Sequence, residues 1–506
     1  MITIICRDEL YTYNVYHLVK AFFPGEEVRQ QVDAEADRLL KITLPDGQQM
    51  EVNIEDLEQN REIRQEEPGA ERSENLRRQR KYLIDTWLYQ NLEEKTGRSL
   101  AWGILTGVRP TKIAMQKVEE GMDRESFIKW FQSDSLVSEK KAKLAYEIAL
   151  REREILRPLD YQNGYSLYVG IPFCPTVCSY CSFSSGAISE WKDYVDAYLD
   201  ALCKEIAFIG SVSENKKLNT IYIGGGTPTT LTEKQLDRLL SCIDRTFSRE
   251  HLLEYTVEAG RPDSITEAKL RVLREHDITR ISINPQTMQQ KTLDVIGRKH
   301  TVEDIRSVYE MARSLGFDNI NMDLIAGLPG ENVTDMADTL RQIKEMRPDS
   351  LTVHSLAIKR AAKMGQEQTV RGFVEGMEEL KRQPQKMARS LSDMIELAYE
   401  AAGDLGLVPY YLYRQKNIAG NFENVGYAKV DKAGIYNILI MEEKQSIAAA
   451  GAGASTKIVL DEPMEVPGSK NKRKTTLMRV ENVKDIRSYI SRIDEMIERK
   501  GEWLWR

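Results

Sequence analysis

Residues 167–183 read Leu-Tyr-Val-Gly-Ile-Pro-Phe-Cys-Pro-Thr-Val-Cys-Ser-Tyr-Cys-Ser-Phe, and the fold turns on how this stretch is understood. Its apolar, aromatic-rich start predicts a buried strand, which Pro172 ends. Cys174, Cys178 and Cys181 then follow at C-x3-C-x2-C spacing in a loop. Three thiolates can hold three irons of a [4Fe–4S] cluster, and because such clusters ordinarily take four cysteines, the fourth iron would be left open to a substrate or cofactor. A zinc loop also wants four ligands and usually pairs its cysteines as C-x2-C; no second pair and no nearby histidine complete that set. Ordinary buried cysteines are the remaining alternative.

Outward from this stretch, from Tyr165 to about Ser355, apolar strands alternate with helical stretches, the grammar of repeated βα units on a parallel sheet. The six expected strands are 167–171, 220–223, 255–258, 280–283, 320–325 and 351–354. In parallel barrels the loops after the C-terminal strand ends build the site, and the unusual residues stand there. The cysteine loop follows the first strand and Gly224-Gly225-Gly226-Thr227-Pro228 the second. Glycines let a ligand approach the backbone and leave amide groups free to bind polar atoms. Glu258 ends the third strand and Asp323 lies late in the fifth, where a carboxylate can accept ribose hydroxyls. Gln286 and Arg298 are polar candidates by position; His354, a lone histidine, reads as structural.

Before this region, 39–54 carries a hairpin signal around Pro45-Asp46-Gly47, and a charged segment from Glu58 merges into a helical pattern through Leu92. Residues 1–160 are expected to form a small α+β region, with Arg151 to Pro158 as linker. The run from Gly103 to Pro110 reads as a loop tied down by glycines. After 355 the barrel grammar is expected to end. A helical pattern from Met387 to Leu405 leads to Tyr410-Tyr411-Leu412-Tyr413-Arg414-Gln415-Lys416-Asn417, a tyrosine and cation mixture suited equally to a ligand face and to an interface. Residues 482–500 read as one amphipathic helix that fills packing space.

The 506 residues suffice for two to four domains. No apolar run is long enough to span a bilayer, and the strand-like Ile2-Thr3-Ile4-Ile5 is unlike a secretory leader, so a cytoplasmic protein is expected. A net charge of −7 excludes a general nucleic-acid binder. Six cysteines in a chain of this size do not make a disulfide framework.

Tyr-Val-x-Ile-Pro-Phe before C-x3-C-x2-C, the aromatic Tyr180 and Gly-Gly-Gly-Thr-Pro together resemble the radical S-adenosylmethionine (SAM) superfamily, and within it the oxygen-independent coproporphyrinogen III oxidase-like group. Gly297-Arg298, the 322–329 run Met-Asp-Leu-Ile-Ala-Gly-Leu-Pro, the tyrosine-rich run and Asn424-Val425-Gly426-Tyr427 look closest to its clostridial and bacillar branch, the coproporphyrinogen dehydrogenases called HemZ. The likeness covers roughly 165–460. It implies a partial (β/α)6 barrel over 161–357, an N-terminal accessory α+β region over 1–160 and a C-terminal α+β extension over 358–506 that covers substrate.

The resemblance further implies that Cys174, Cys178 and Cys181 ligate a [4Fe–4S] cluster and that SAM chelates its open iron. By the family pattern, Tyr168, Gly225 and Glu258 contact that SAM, while Tyr180, Gly226, Thr227, Gln286, Arg298 and Asp323 hold a second one. One electron from a low-potential donor would generate a radical that takes hydrogen from the propionates of a tetrapyrrole, leaving vinyl groups after loss of CO2. Such a substrate needs concentrated cations in an acidic protein, and Lys359, Arg360, Arg414 and Lys416 are the candidates. Two residues depart from the oxidase pattern: Gly170 stands for a histidine and Phe183 for a further cysteine. Relatives without that cysteine include haem chaperones, so haem delivery without decarboxylation, or radical chemistry on another tetrapyrrole, are the other readings.

Overall fold

The structure is a computed structural model and describes residues 1–24, 26–58, 72–107, 109–181, 185–356, 384–414, 422–466 and 474–505. It divides into two compact units. The first gathers Met1–Leu150 with the described parts of 378–392 and 413–423; the second holds the rest.

The first unit begins with β1 (Ile2–Cys6), β2 (Val28–Val32), β3 (Leu40–Thr43) and β4 (Gln49–Val52), ordered β2-β1-β3-β4. β3 and β4 pair antiparallel across the expected turn. Along β1, Ile2, Ile4 and Cys6 alternate into the core, as a half-buried strand should. There they meet Val15, Leu18 and Phe22 of the helix Glu9–Phe22 and Leu88 and Leu92 of Arg72–Thr96. Asp8 caps the first of these helices by accepting from Leu10 N.

The second unit is built on an 11-stranded sheet. Its centre is β5 (Gly164–Ile171), β8 (Lys217–Gly225), β9 (Glu254–Gly260), β10 (Arg280–Ile283), β11 (Ile320–Ala326) and β12 (Ser350–Ser355). Neighbouring strands pair in parallel throughout, and helices occupy the crossovers, so the expected six βα units are present. The short β6 (Phe173–Cys174) and β7 (Gly186–Ala187) pair beside them.

The structure refines three expectations. After 355 the βα alternation gives way to the expected α+β extension, and its strands β13 (Val408–Arg414), β14 (Glu423–Ala428), β15 (Ser446–Ala450), β16 (Ser455–Glu465) and β17 (Lys474–Glu481) join both edges of the sheet, giving the order β13-β14-β12-β11-β10-β9-β8-β5-β15-β16-β17. β15, Ser-Ile-Ala-Ala-Ala, lies parallel to β5 and is buried on both faces; with neither alternation nor β-branched enrichment it carried no strand signal. The units divide at Leu150/Arg151, at the start of the expected linker Arg151 to Pro158, but most of that stretch is the end of the helix Glu139–Leu156 and not a loop. The 482–500 stretch is two helices, Ile486–Ser491 and Ile493–Gly501, broken at Arg492.

These last helices hold a polar core together. Lys500 and Glu205 are both fully buried, with Nζ 2.9 Å from Oε1. Glu205 also accepts from Asn482 Nδ2 at 2.8 Å, Tyr489 OH at 2.5 Å and Gly451 N at 2.9 Å. Lys500 donates to Ala449 O at 2.7 Å and Thr456 Oγ1 at 3.2 Å. The network fixes the turn after β15 against β5, where Tyr198 OH donates to Gly170 O at 2.7 Å and accepts from Ala452 N at 3.0 Å. Gly451 has φ +111°, and a Cβ there would stand 2.5 Å from Gly170 O; only glycine fits.

Candidate functional site

The cysteine loop leaves β5 through Pro172 and is tied down on two sides. Gly186 N donates to Pro172 O at 2.9 Å. Ser179 N and Oγ both donate to Ile296 O at 3.3 Å, and Thr176 Oγ1 to Gly297 O at 3.3 Å. Donors surround the sulfurs. Thr227 Oγ1 lies 3.5 Å from Cys174 Sγ and Arg261 Nη1 3.6 Å from Cys178 Sγ; Arg298 donates to Cys178 as well. Burial pushes the Cys174 thiol up, against the hydrogen bonds of Thr227 and Ser185.

Among the described residues no three metal-binding side chains converge tightly enough for a single ion. Three thiols on one loop, with cationic and hydroxyl donors aimed at two of them, fit a [4Fe–4S] group.

Arg261 had no place among the expected site residues. It is 3% exposed, donates from Nη1 to Thr176 O and Oγ1 at 2.8 Å each, and grips Asp263 with Nε and Nη2 at 2.9 and 2.6 Å. The bidentate pair fixes the plane of the guanidinium, which therefore sits as a fixed positive charge beside Cys178. Its position three residues past Glu258, at a strand's C-terminal end, was the available signal.

The glycine loop is stitched to the same strand end: Gly226 N donates to Ile171 O and Thr227 N to Phe173 O, both at 2.7 Å. A Cβ on Gly226 would lie 2.5 Å from Phe173 O, and Gly225 has φ +106°. The close approach that requires Gly226 is thus to the chain's own backbone.

Behind it, Tyr222 OH donates to Glu258 Oε1. Burial pushes the Glu258 carboxyl up to about 7; Tyr222 and the Gly225 N–H draw it down, and the Asp323 charge pushes it up. Tyr222 is stacked on Tyr436, centroids 4.5 Å apart and planes at 21°, and Tyr168 lies nearly parallel to both rings, with centroids 6.3 Å from each. Tyr436 heads the helix Ile435–Glu442, whose first amides bond the buried Glu254 carboxylate. No sequence pattern pointed to Tyr436.

Gln286 is left-handed at φ +67°, a strain of order 1 kcal/mol for a residue with a side chain. Two backbone bonds hold it: Gln286 N donates to Asp323 O and accepts at O from Ile325 N, both at 2.9 Å. Its Oε1 is buried without a partner, as is Asn284 Oδ1. Arg298 bonds Asn284 O through Nη1 and Tyr180 OH through Nη2, the latter at 3.1 Å. Asp323 accepts from Asn321 Nδ2 at 2.7 Å and lies 3.8 Å from His354 Nε2. Burial works to raise its carboxyl, but His354 and Asn321 outweigh it and hold Asp323 below the ordinary range.

The strand ends therefore bring together Tyr168, Cys174, Cys178, Tyr180, Cys181, Gly225, Gly226, Thr227, Glu258, Gln286, Arg298 and Asp323. Arg414 belongs to the first unit, and Lys359, Arg360 and Lys416 lie outside the described residues, as does Phe183. At the other departure, Gly170, a Cβ would meet Tyr168 Cε1 at an ordinary 3.4 Å.

A parallel six-stranded βα core with three loop cysteines at the end of its first strand defines a radical SAM protein, and residues 168–343 match the family model described as Radical SAM superfamily. The chain is 42% identical over 424 residues to the oxygen-independent coproporphyrinogen-III oxidase-like protein HemZ of Bacillus subtilis, spanning 83% of this chain and 80% of that one. It is 37% identical over 195 residues to the heme chaperone HemW of the same organism, covering 38% of this chain and 51% of that one. The coproporphyrinogen III oxidase HemN of Escherichia coli, a solved structure, aligns with a TM-score of 0.47 at 21% identity over 66% of this chain and 70% of its own. The chain belongs to the HemZ family of oxygen-independent coproporphyrinogen III oxidase-like radical SAM proteins. As a radical SAM protein it takes a [4Fe–4S] cluster and SAM as cofactors.

Proposed function

We propose that this protein oxidatively decarboxylates the propionates of coproporphyrinogen III to vinyl groups, giving protoporphyrinogen IX in anaerobic haem biosynthesis. The observation that carries the reading is the match over 83% of the chain to a protein named oxygen-independent coproporphyrinogen-III oxidase-like; the heme chaperone and the coproporphyrinogen III oxidase matches each span under two fifths of it. When bound, the cluster and SAM would supply hydrogen-atom abstraction from a propionate β-carbon; loss of CO2 then leaves the vinyl group, and the remaining electron passes to a one-electron acceptor supplied from outside the protein.

The chain's own residues do the rest. Cys174, Cys178 and Cys181 hold the irons, and Arg261 and Thr227 stabilise thiolate sulfur by donating to it. Tyr168, Gly225 and Glu258 would orient the SAM on the cluster; Gln286, whose buried Oε1 has no partner, would with Tyr180, Gly226, Thr227, Arg298 and Asp323 receive a second SAM. Arg414 binds a propionate. It is 3% exposed, donates Nη1 to Leu105 O at 2.8 Å, and keeps Nε and Nη2 buried without partners, two N–H groups in the fork that a carboxylate accepts. Lys359, Arg360 and Lys416 add positive charge, residues 1–160 serve as the accessory region and 358–506 cover the tetrapyrrole. A low-potential donor in the cytoplasm supplies the electron.

The test is anaerobic reconstitution with iron and sulfide, followed by SAM, a reductant and coproporphyrinogen III. Protoporphyrinogen with stoichiometric methionine is the expected result; haem binding with no decarboxylation replaces the enzyme by a chaperone. Arg414→Ala is expected to weaken substrate binding roughly tenfold or more, the worth of a charge-assisted bond.

A further inference from the structure

Two thiols that the cofactor site does not use face each other in the outer helical layer. Cys203 lies on the helix Val195–Val212, which follows the cysteine loop, and Cys242 on the helix Glu233–Thr246, which follows the glycine loop. The helices meet in register: Gln235 Nε2 donates to Asp196 Oδ1 at 2.9 Å, and one turn on Arg238 pairs with Asp200. Further along, a Cβ on Gly210 would stand 2.3 Å from Thr246 Cγ2, so the backbones approach closely. Between these contacts Cys242 Sγ donates to Cys203 O at 3.9 Å, which sets the two cysteines side by side across the helix pair. Helices this close can bring Cα atoms within the span a disulfide bridges. Cys203 is half-buried and Cys242 9% exposed, which admits a small solute from the Cys203 side.

We propose that Cys203 and Cys242 form a redox-active dithiol that closes to an interhelical disulfide by exchange with a low-molecular-weight disulfide. One thiolate of the pair attacks RSSR, forms a mixed disulfide and expels RS−. The partner thiolate attacks the protein sulfur of that bond, closes the Cys203–Cys242 bridge and expels the second RS−. The two thiol protons pass through solvent to the leaving groups, so two cysteines are oxidised and RSSR is reduced to two RSH. The interaction with Cys203 draws the Cys242 thiol down to about 7 against burial, with Arg245 and Arg238 adding to it, while the same interaction and burial push the Cys203 thiol up, so Cys242 supplies the thiolate. The bridge would tie the helix behind the cysteine loop, which also carries Glu205, to the helix behind the glycine loop.

The experiment uses the cluster-loaded protein, incubated anaerobically with excess oxidised glutathione, alkylated and digested with trypsin without reductant. The peptide Asp193–Lys204 is expected joined to Leu239–Arg245, two hydrogens below the summed mass and separated again by dithiothreitol. Cys203→Ser should abolish the joined species and leave Cys242 alkylated or glutathionylated. Recovery of both wild-type peptides singly alkylated, or of either cysteine joined to one of the cluster cysteines, would overturn the proposal.

Discussion

Tyr222 shows how a side chain outside the reacting groups sets a pH range. Glu258 can accept ribose hydroxyls well only when ionised, and its carboxyl stands at about 7, so SAM affinity should rise as pH increases through neutrality. The Tyr222 hydroxyl favours the carboxylate by donating to it. Tyr222→Phe is therefore expected to move that rise to higher pH and to weaken binding roughly tenfold at pH 7, as loss of a charged hydrogen bond does. Equilibrium dialysis with SAM across pH 6 to 9 measures both; an unshifted profile would mean that Tyr222 does not hold Glu258. At this scale the placement of the three cysteines, Thr227 and Glu258 was legible, because the strand pattern sets each of them at or just past a strand's C-terminal end. Arg261 was partly legible by the same rule, whereas Tyr436 was not: its ring reaches Tyr168 and Tyr222 only through a helix far along the chain.

Among the elements, the glycine loop is shaped by β5 and β6 as much as by any ligand. Gly226→Ala would put a methyl group 2.5 Å from Phe173 O, and neither backbone can yield without breaking the bonds from Gly226 N and Thr227 N. The expected outcome is a shifted cysteine loop, at least a twofold loss of iron and sulfide after reconstitution, and destabilisation of about 1–3 kcal/mol, the usual cost of overpacking. Iron analysis and the cluster's visible absorbance report the first effect, thermal unfolding the second. The six central strands were legible from their alternation with helices. β15 was illegible because an alanine run buried on both faces has no period, and the tyrosine run, read as a ligand face or an interface, forms β13 with Tyr410 and Tyr411 0% and 6% exposed. Tyr411 fills the space that Gly426 leaves, its ring 1.9 Å from where a Cβ would stand, a pairing between strands that no single window of sequence displays.

Across the whole molecule, the Lys500–Glu205 pair joins parts of the chain that sequence reading kept apart, a barrel helix and a tail taken for filler. Lys500→Met would leave Glu205 charged and unpaired in the interior, a loss of about 3–5 kcal/mol. Adding Glu205→Gln to Lys500→Met removes the stranded charge and is expected to restore most of that stability; urea midpoints of the single and double variants compare the two. If the single variant unfolds like wild type, the pair is not what holds the turn. The same pair also sets an order of events during synthesis. Glu205, the cysteine loop and β5 leave the ribosome early, while β15 and the helix bearing Lys500 emerge much later. Until they do, Gly170 has no turn resting against it and Glu205 has no cation. The iron-binding loop thus acquires its backing only after β15 and the helix Ile493–Gly501 have been made, well after the loop itself.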